Sequence, residues 1–272
     1  MVRSLKAARL FGHIMLGLVL LVLTGGLWDN GNRLLKATKR WWLFRITRLL
    51  GMEIEVLGTV PEKSSTGTLF ISNHVSWTDI PVVGGLTQLN FLSKAEVKNW
   101  PLVGRLAHGT GTLFIQRGSG DAGKVSVQIA DYLRQGRSVL FFPEGTSSNG
   151  RSLLRFHRKL FQTCEHIETR VCPIVIHYSV EGLDHNPVAF IGDDELTRHI
   201  WNLLSYPRIK VTVAVLEPRL LTLDGLDKQI SSIRLDMAQQ LERLHARASI
   251  NTNVQSPDAS SRDDQPDGAA SF

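Results

Sequence analysis

The feature that most constrains this chain is an uncharged stretch of 19 residues near its amino terminus, from 10 to 28, with the sequence LFGHIMLGLVLLVLTGGLW. At about 1.5 Å per residue, a helix of this length nearly matches the hydrocarbon core of a bilayer, which is about 30 Å thick. His13 and several glycines make the stretch a weak candidate for a simple spanning helix. Its length and apolar character nevertheless predict that the chain associates with a membrane.

The next segment, residues 33–50, is typical of a basic helix that lies at a membrane surface. Leu35, Trp42 and Ile46 recur at helical spacing, and lysines and arginines stand between them. Tryptophans are common anchors at the membrane–water interface. Together the two segments predict a membrane-associated helix hairpin over residues 1–50, which dips into one leaflet or lies on it.

Two alternatives for the amino terminus stay open from the sequence. One is a cleaved signal peptide with Thr24-Gly25-Gly26 as a poor exit, and the other is one simple spanning helix. The basic second segment favours a retained anchor, because its charges would serve no purpose in an exported soluble domain. The two cysteines, Cys164 and Cys172, have no spacing that predicts a disulfide framework or a zinc site, which fits a reducing compartment.

The net charge of +6 is distributed unevenly. Residues 1–50 hold nine basic residues and one acidic residue, whereas residues 251–272 hold one arginine and four aspartates. A nucleic-acid-binding domain usually carries its positive charge on the folded body. Anionic membrane phospholipids are therefore the expected partner, and nucleic acid is not. We predict three parts, which are the anchor over 1–50, an α/β domain over 51–250 and a disordered tail over 251–272.

Segments of strand length and helix length alternate along the middle of the chain. Strands are predicted at 53–57, 68–71, 89–93, 113–116, 138–142, 171–177 and 211–216. Helices are predicted to begin at Ile80 and to cover 122–135, 153–166 and 226–248. This alternation predicts an α/β fold with a mostly parallel sheet flanked by helices, preceded by the membrane-associated helix hairpin.

Polar residues follow three of the predicted strands, in the segments 73–79, 111–117 and 142–148. Ligand sites in open α/β sheets lie beyond the carboxyl ends of the strands, so we expect these segments to belong to one site. The third segment could form a turn with exposed backbone N–H groups at Gly145 and Thr146. Such a turn would suit an oxyanion or a phosphate.

The first of these segments contains a candidate catalytic pair, His74 and Asp79. Imidazole is well suited to act as a general base near neutral pH. If Asp79 lies one turn into the next helix, its carboxylate reaches Nδ1 of His74 and leaves Nε2 for a substrate hydroxyl. The alternative is that Ser76 or Asp79 only caps that helix.

The second segment ends at Arg117, beside apolar residues, where a buried charge needs a partner. A phosphate is one candidate partner, and an ion pair with Glu144 or a solvated strand end is the alternative. Residues 118–124 fit the first seven positions of a phosphate-binding P-loop. Val125 stands where a serine or threonine would bind magnesium, so we interpret this stretch as a loop that enters a helix.

Four blocks occur in order, namely Asn73-His74-x-Ser76-x-x-Asp79, Gly111-x-x-Phe114-Ile115-x-Arg117, Pro143-Glu144-Gly145-Thr146, and an apolar strand with proline at 171–175. Together they resemble the glycerolipid acyltransferase family typified by 1-acylglycerol-3-phosphate acyltransferases, over roughly residues 50–220. The resemblance implies transfer of a fatty acyl group from an acyl-CoA or acyl-carrier-protein thioester to the free hydroxyl of 1-acylglycerol-3-phosphate. It implies no cofactor and no metal, and the chain has no GxSxG motif for a covalent acyl-enzyme.

The resemblance also implies roles for individual residues. His74 would deprotonate the hydroxyl of the lysolipid acceptor, and Asp79 would orient His74. The substrate-binding residues would be Asn73, Lys94, Arg117, Glu144, Gly145 and Thr146. Because Glu144 is an anion that repels phosphate, it would position Arg117 or a glycerol hydroxyl.

One departure from the family pattern concerns the acceptor. Many members have arginine directly after the Pro-Glu-Gly-Thr block, and this chain has Ser147. That serine, together with Gly192-Asp193 and His199-Ile200-Trp201, looks more like the bacterial branch that includes lyso-ornithine-lipid acyltransferases. A lyso-ornithine lipid is therefore the alternative acceptor. A thioesterase and a non-catalytic lipid-binding protein are alternatives from other classes. The resemblance implies a bacterial inner-membrane protein whose catalytic domain faces the cytoplasm.

Overall fold

A computed structural model of the chain describes residues 2–26, 32–61, 65–116 and 122–254. The helices are α1 (Val2–Leu23), α2 (Arg33–Leu49), α3 (Asp79–Leu86), α4 (Val103–Gly109), α5 (Ala122–Arg134), α6 (Leu196–Leu203) and α7 (Leu226–Val254), with 3₁₀ segments at Ala95–Asn99 and Arg158–Glu165. The strands are β1 (Met52–Leu57), β2 (Leu69–Ser72), β3 (Asn90–Lys94), β4 (Leu113–Ile115), β5 (Val139–Phe141), β6 (Thr169–Ser179), β7 (Ile209–Val215) and β8 (Arg219–Leu221).

The strands of the described part form one eight-stranded sheet in the order β1-β7-β6-β2-β5-β3-β4, with β8 paired to β6. β6 runs antiparallel to β7 and β8, and the other neighbours are parallel. The predicted mostly parallel α/β sheet is therefore confirmed. β2 lies in the middle, between β5 and β6, so the loop that follows it leaves the carboxyl edge at the centre of the sheet.

Both faces of the sheet are covered, because successive strand residues point to opposite sides. In β2, Phe70 packs into the core shared with α2 and α3, whereas Leu69 and Ile71 pack into the core shared with α5 and α7. The helix α7 contributes six fully or nearly buried apolar side chains, Leu226, Ile230, Ile233, Met237, Leu241 and Leu244. Each such side chain stabilises the fold by roughly 1.5–3 kcal/mol relative to an exposed one.

The hairpin of α1 and α2 packs on the body of the protein along its length. At the base, Arg3 donates from Nε to the Trp201 carbonyl oxygen over 2.6 Å. Further along, Lys39 Nζ donates to the carbonyl oxygens of Leu89 and Thr110, at 2.8 and 3.1 Å. Near the tip, Gly109 of α4 lies directly against Leu21. The hairpin is therefore part of the folded unit.

The outer face of the hairpin is apolar and exposed. Its large exposed side chains include Phe11, Leu16, Val19, Leu23, Leu34, Trp41 and Phe44. The helix Val2–Leu23 is also long and apolar enough to cross a membrane, and only 22% of its most apolar window is buried in protein. Exposed apolar surface of this extent is typical of a membrane contact, so the structure is that of a membrane-associated protein.

One predicted element is wrong in part. The helix expected over 153–166 is absent before residue 158, and the remainder is a 3₁₀ segment. The reason is that the backbone there bonds elsewhere: the Leu154 N–H donates to Glu144 and the His157 N–H donates to the Pro143 carbonyl. The helices α4 and α6 and the edge strand β8 were not predicted, and α7 extends to Val254.

Candidate active site

The first candidate segment leaves the sheet through Asn73. The Asn73 side chain donates from Nδ2 to the Ile176 carbonyl oxygen over 2.9 Å and accepts from the Ile176 N–H over 2.7 Å. The amide thus reproduces one rung of the β2–β6 ladder with a side chain, which frees the backbone to turn away. Asn73 is 1% exposed, so the structure places it beneath the site, where it fixes the exit of the chain.

The backbone after Asn73 is held by four separate contacts. The His74 N–H donates to Glu144 Oε1 over 2.9 Å, and the His74 carbonyl accepts from the Ser148 N–H over 2.8 Å. The Val75 N–H donates to Asp79 over 2.8 Å, and the Val75 carbonyl accepts from the Phe190 N–H over 3.0 Å. With the backbone N–H and carbonyl groups of both His74 and Val75 bonded in this way, this part of the loop has little freedom to move.

The side chains of His74 and Asp79 are directly paired. The distance from His74 Nδ1 to Asp79 Oδ2 is 2.8 Å, and the Asp79 side chain is fully buried. The same oxygen accepts the N–H groups of Val75 and Ser76, which precede the helix. The helix cap at Thr78 has no side-chain hydrogen bond. Simple capping of α3 by Ser76 or Asp79, the alternative raised by the sequence, is therefore wrong.

The second oxygen of Asp79 is held by a buried tyrosine. The Tyr178 hydroxyl donates to Asp79 Oδ1 over 2.7 Å and accepts from the Thr78 hydroxyl over 3.1 Å. Burial, followed by the charge of Asp79, raises the pKa of Tyr178 well above its ordinary value. The tyrosine therefore stays protonated, and the carboxylate is fixed at both oxygens.

The ring of His74 is fixed in plane as well as at Nδ1. It stacks on the Phe142 ring, with centroids 4.0 Å apart and planes inclined by 12°. The His74 side chain is 22% exposed and lines a cavity. With Nδ1 engaged by Asp79, Nε2 is the nitrogen available to a molecule in that cavity. This is the arrangement of a general base with its orienting carboxylate.

Glu144 joins the third segment to the first. Its Oε1 accepts the His74 N–H and its Oε2 accepts the Leu154 N–H, each over 2.9 Å. Burial raises the pKa of Glu144, and the two N–H donors act against that rise. The carboxyl group therefore joins the loop that carries the base to Leu154. Glu144 also forms part of the cavity lining.

The turn that follows Glu144 presents backbone donors to the same cavity. Gly145 adopts a left-handed φ of 69°, a conformation that glycine accepts without strain. Gly145, Thr146 and Ser147 line the cavity. Within the described ranges, the N–H groups of Thr146 and Ser147 have no hydrogen-bond acceptor. The hydroxyl of Ser147 is occupied, because it donates to the Phe190 carbonyl.

The cavity itself is large and mostly apolar, with a volume of about 1170 Å³. It extends from His74 to the inner faces of α1 and α2, where Leu10, Ile14, Trp42 and Ile46 form its wall. Exposed cationic side chains, Lys94, Arg155, Arg158 and Lys159, line it on the side of the body. Glu144 is the acidic residue among the described lining residues. An apolar chain with an anionic end fits such a space.

Of the two remaining predicted site residues, the structure describes Lys94 but not Arg117. Lys94 lies at the end of β3 and lines the cavity. Arg117 lies outside the described residues, and so do residues 118–121 of the glycine-rich stretch 118–124. The helix α5 begins at Ala122. The structure therefore brings together Asn73, His74, Asp79, Lys94, Glu144, Gly145 and Thr146.

Three contributors to the site were missed by sequence reasoning. Tyr178 fixes Asp79, Phe142 stacks on His74, and the hairpin supplies one wall of the cavity. Phe142 could have been found, since it directly precedes the Pro143-Glu144 block. Tyr178 is 99 residues from Asp79 along the chain, and no local pattern connects them.

Comparison with known proteins gives one consistent result. A family model described as Acyltransferase matches residues 53–177. The chain is 41% identical to a lyso-ornithine lipid O-acyltransferase of Pseudomonas aeruginosa over 246 residues, 88% of this chain and 90% of the relative. It is 29% identical to a 1-acyl-sn-glycerol-3-phosphate acyltransferase of Neisseria gonorrhoeae over 198 residues, 70% of this chain and 77% of the relative.

The fold has a solved counterpart. The crystal structure of the 1-acyl-sn-glycerophosphate acyltransferase from Thermotoga maritima superposes with a TM-score of 0.62 at 18% identity, and covers 90% of this chain and 98% of that one. At this identity the likeness concerns the fold. The sequence relatives, the family match and the paired histidine and aspartate agree with one another, and this chain belongs to the acyltransferase family that includes the lyso-ornithine lipid and 1-acyl-sn-glycerol-3-phosphate acyltransferases.

Proposed function

We propose that this acyltransferase moves a fatty acyl group from a thioester donor to the hydroxyl of a lyso-ornithine lipid. The observation that carries the proposal is the His74–Asp79 pair, 2.8 Å apart, in the wall of an apolar cavity of about 1170 Å³. A cavity of that size can accommodate a lipid chain beside the base. The acceptor 1-acylglycerol-3-phosphate, the first choice from the sequence, becomes the second candidate.

Two observations favour the ornithine acceptor. The relative with 41% identity over 88% of this chain is named for it. The residue after the Pro-Glu-Gly-Thr block is Ser147, whose hydroxyl donates to the Phe190 carbonyl and so braces a loop. An ornithine head group carries one carboxylate and one ammonium group, whereas a phosphate monoester carries nearly two negative charges. A neutral residue at this position suits the acceptor with the smaller negative charge.

In the proposed reaction, Nε2 of His74 takes the proton from the acceptor hydroxyl as the oxygen attacks the thioester carbonyl. Asp79 stabilises the resulting imidazolium at Nδ1. The tetrahedral intermediate collapses and expels the thiolate, which receives the same proton from His74 to leave as a thiol. General base catalysis of this kind contributes roughly 10²- to 10⁴-fold. The reaction uses the acyl-CoA or acyl-carrier-protein thioester as co-substrate and no metal or other cofactor.

The oxyanion of the intermediate needs hydrogen-bond donors, and we assign the N–H groups of Thr146 and Ser147 to this role. They follow the left-handed Gly145, border the cavity that holds His74, and have no acceptor in the described part of the chain. Backbone donors already fixed in position stabilise a developing oxyanion without reorganisation.

The exposed apolar face of the hairpin supports a location in one leaflet, beside the membrane-borne acceptor. Because acyl-CoA and acyl-carrier protein are cytoplasmic, we place the catalytic domain on the cytoplasmic side of the bacterial inner membrane. The cationic side chains at the cavity, Lys94, Arg155 and Lys159 among them, would meet the acidic groups of the donor or the acceptor.

The test uses the purified full chain in detergent, with lyso-ornithine lipid and 1-acylglycerol-3-phosphate offered in parallel and acyl-CoA or acyl-carrier protein as donor. Products are read by mass spectrometry. We expect the acylated ornithine lipid to form at least ten times faster than phosphatidate. A faster rate with 1-acylglycerol-3-phosphate would reverse the assignment of the acceptor and keep the chemistry.

Two variants complete that experiment. His74→Ala should slow product formation by roughly 10²-fold or more, whereas His185→Ala, which removes an exposed imidazole outside the cavity, should leave the rate unchanged. Release of free fatty acid at the same rate with and without acceptor would indicate a thioesterase. Lipid binding without product from any donor, in wild type and His74→Ala alike, would indicate a non-catalytic lipid-binding protein.

A further inference from the structure

A second cavity lies on the opposite side of the hairpin from the active-site cavity. It is an open groove of about 700 Å³ between α1 and α2. Arg9 and Arg45 border it, one from each helix, and Trp41 and Leu16 form its apolar sides. None of these four residues lines the cavity that holds His74. The groove is therefore a separate feature, which the proposed reaction does not use.

The floor of the groove is rigid. His13 lies there, and its Nε2 is 3.0 Å from the Trp42 carbonyl oxygen, while Trp42 Nε1 donates to the His13 carbonyl over 2.8 Å. The two rings also stack, with centroids 5.4 Å apart. Gly17 permits this close approach, since a Cβ there would lie 2.7 Å from the Trp42 ring. The reciprocal bonds fix both helices, so the groove exists before any ligand enters.

The charge of the groove is uncompensated. Arg9 and Arg45 are exposed, and neither has a hydrogen bond or ion pair among the described residues. No acidic residue occurs in α1 or α2. Two guanidinium groups that face one groove repel each other unless an anion lies between them. Guanidinium binds a phosphate through paired hydrogen bonds, which makes a phosphate the matching anion.

The surroundings of the groove favour a phosphate that belongs to a lipid head group over a free phosphate ion. Trp41, which lines the groove, is 52% exposed, and two exposed phenylalanines are next to lining residues along the chain, with Phe11 59% and Phe44 40% exposed. The arginines lie toward the base of the hairpin and the apolar residues Val19 and Leu23 lie toward its tip. A ligand that matches both parts has an anionic head and apolar tails, with the head at the level of the membrane interface.

We infer that the groove between α1 and α2 binds the phosphate of an anionic phospholipid through Arg9 and Arg45, as a lipid site distinct from the active site. His13 and Trp42 form the wall between the two cavities, because His13 borders the groove and Trp42 borders the active-site cavity. A lipid held in the groove would therefore steady the helix pair that also encloses the substrate.

The test is a calorimetric titration of the detergent-solubilised full chain with dihexanoyl phosphatidylglycerol. The lipid is kept below its critical micelle concentration. The groove variant is Arg9→Gln/Arg45→Gln. The matched control is Arg33→Gln/Arg48→Gln, which removes two charges from the same hairpin at positions outside the groove. We expect saturable binding with one lipid per chain, weakened at least tenfold in the groove variant and less than twofold in the control.

Three results would overturn the inference. Equal weakening in both variants would mean diffuse attraction to a basic hairpin, and absence of saturable binding to wild type would mean that no site exists. Inorganic phosphate and dihexanoyl phosphatidylcholine serve as comparison ligands, and binding of inorganic phosphate as tight as that of the lipid would assign the site to a free anion. Because binding is the readout, the outcome does not depend on which acceptor the active site uses.

Discussion

Two histidine sites in the described part of the molecule, one at the wall of the cavity and one buried, differ in what faces the imidazole. His74 faces a fully buried carboxylate at Nδ1 and a cavity on its other side. His177, on β6, faces a second imidazole, that of His245 on α7, with ring centroids 4.6 Å apart. His245 in turn donates to the Gly150 carbonyl, with Nε2 and oxygen 3.0 Å apart.

The comparison shows that the neighbours of an imidazole determine what it can do. Asp79 holds the imidazole of His74 at Nδ1, which leaves Nε2 facing the cavity, where it can accept a proton from a bound molecule. Burial, followed by the nearby His245, lowers the pKa of His177 to about 4, so that imidazole stays neutral. The geometry of the first site suits proton transfer, as proposed above, and the second site packs the sheet against α7.

The largest effect is expected from removal of the base. His74→Ala should lower kcat by roughly 10²- to 10⁴-fold, because the acceptor hydroxyl loses its proton acceptor. Steady-state assays with the circular dichroism spectrum as a control for folding measure the effect. In His74→Gly, added imidazole should restore part of the rate. A folded variant that retains most of its activity would remove the distinction between the two histidine sites.

Asp79→Asn should come next, with a loss of roughly 10²-fold in kcat. The amide brings N–H groups toward the donors of Val75, Ser76 and His74, so it cannot reproduce the contacts of the carboxylate. The thermal midpoint should fall as well, since unpaired buried donors cost about 1–3 kcal/mol each. Unchanged kcat with a lowered midpoint would show that Asp79 acts on stability alone.

Tyr178→Phe should have a smaller effect, a decrease of about tenfold or less in kcat, which corresponds to about 1.4 kcal/mol in the barrier. The variant removes the donor to Asp79 Oδ1 and leaves the His74–Asp79 contact in place. The KM for the acceptor should stay the same, because Tyr178 is not among the residues that line the cavity. A change confined to KM would contradict its role as a positioning residue.

His177→Gln should leave activity near neutral pH unchanged and alter the dependence of stability on pH. The folded pKa of about 4 lies below the ordinary value of 6.5, so the unfolded chain binds more protons between these two values. Stability of the wild type should therefore fall as pH drops from about 6.5 to 4, by at most about 3 kcal/mol from this group. Urea titrations across that range should show a shallower fall for the variant.

The pairing at the centre of the site was predictable because its partners are local. His74 and Asp79 are five residues apart at the junction of a strand and a helix, and the geometry of that junction limits where the carboxylate can go. The helix α5 was also predictable, since Val125, Ile129 and Leu133 recur at spacings of four and are all buried.

The supports of the site were not predictable, because they join distant parts of the chain. Asn73 bonds to Ile176 across 103 residues, and Glu144 bonds back to His74 across 70. Other bonds to the third segment explain the wrong helix at 153–157, because the Leu154 N–H donates to Glu144 and the His157 N–H donates to Pro143. The antiparallel pairing of β6 and β7 could not be predicted from the sequence either, since buried strands of either direction have the same apolar pattern.

The wall that α1 and α2 give to the active-site cavity has a kinetic consequence. In the proposed reaction the acceptor would arrive by lateral diffusion from the lipid around the hairpin, whereas the thioester would arrive from water. The concentration of acceptor that governs the rate is thus its surface concentration in the membrane or micelle. At a fixed quantity of acceptor and enzyme, adding an inert detergent spreads the same molecules over more surface and should slow the reaction, although the bulk concentration is constant.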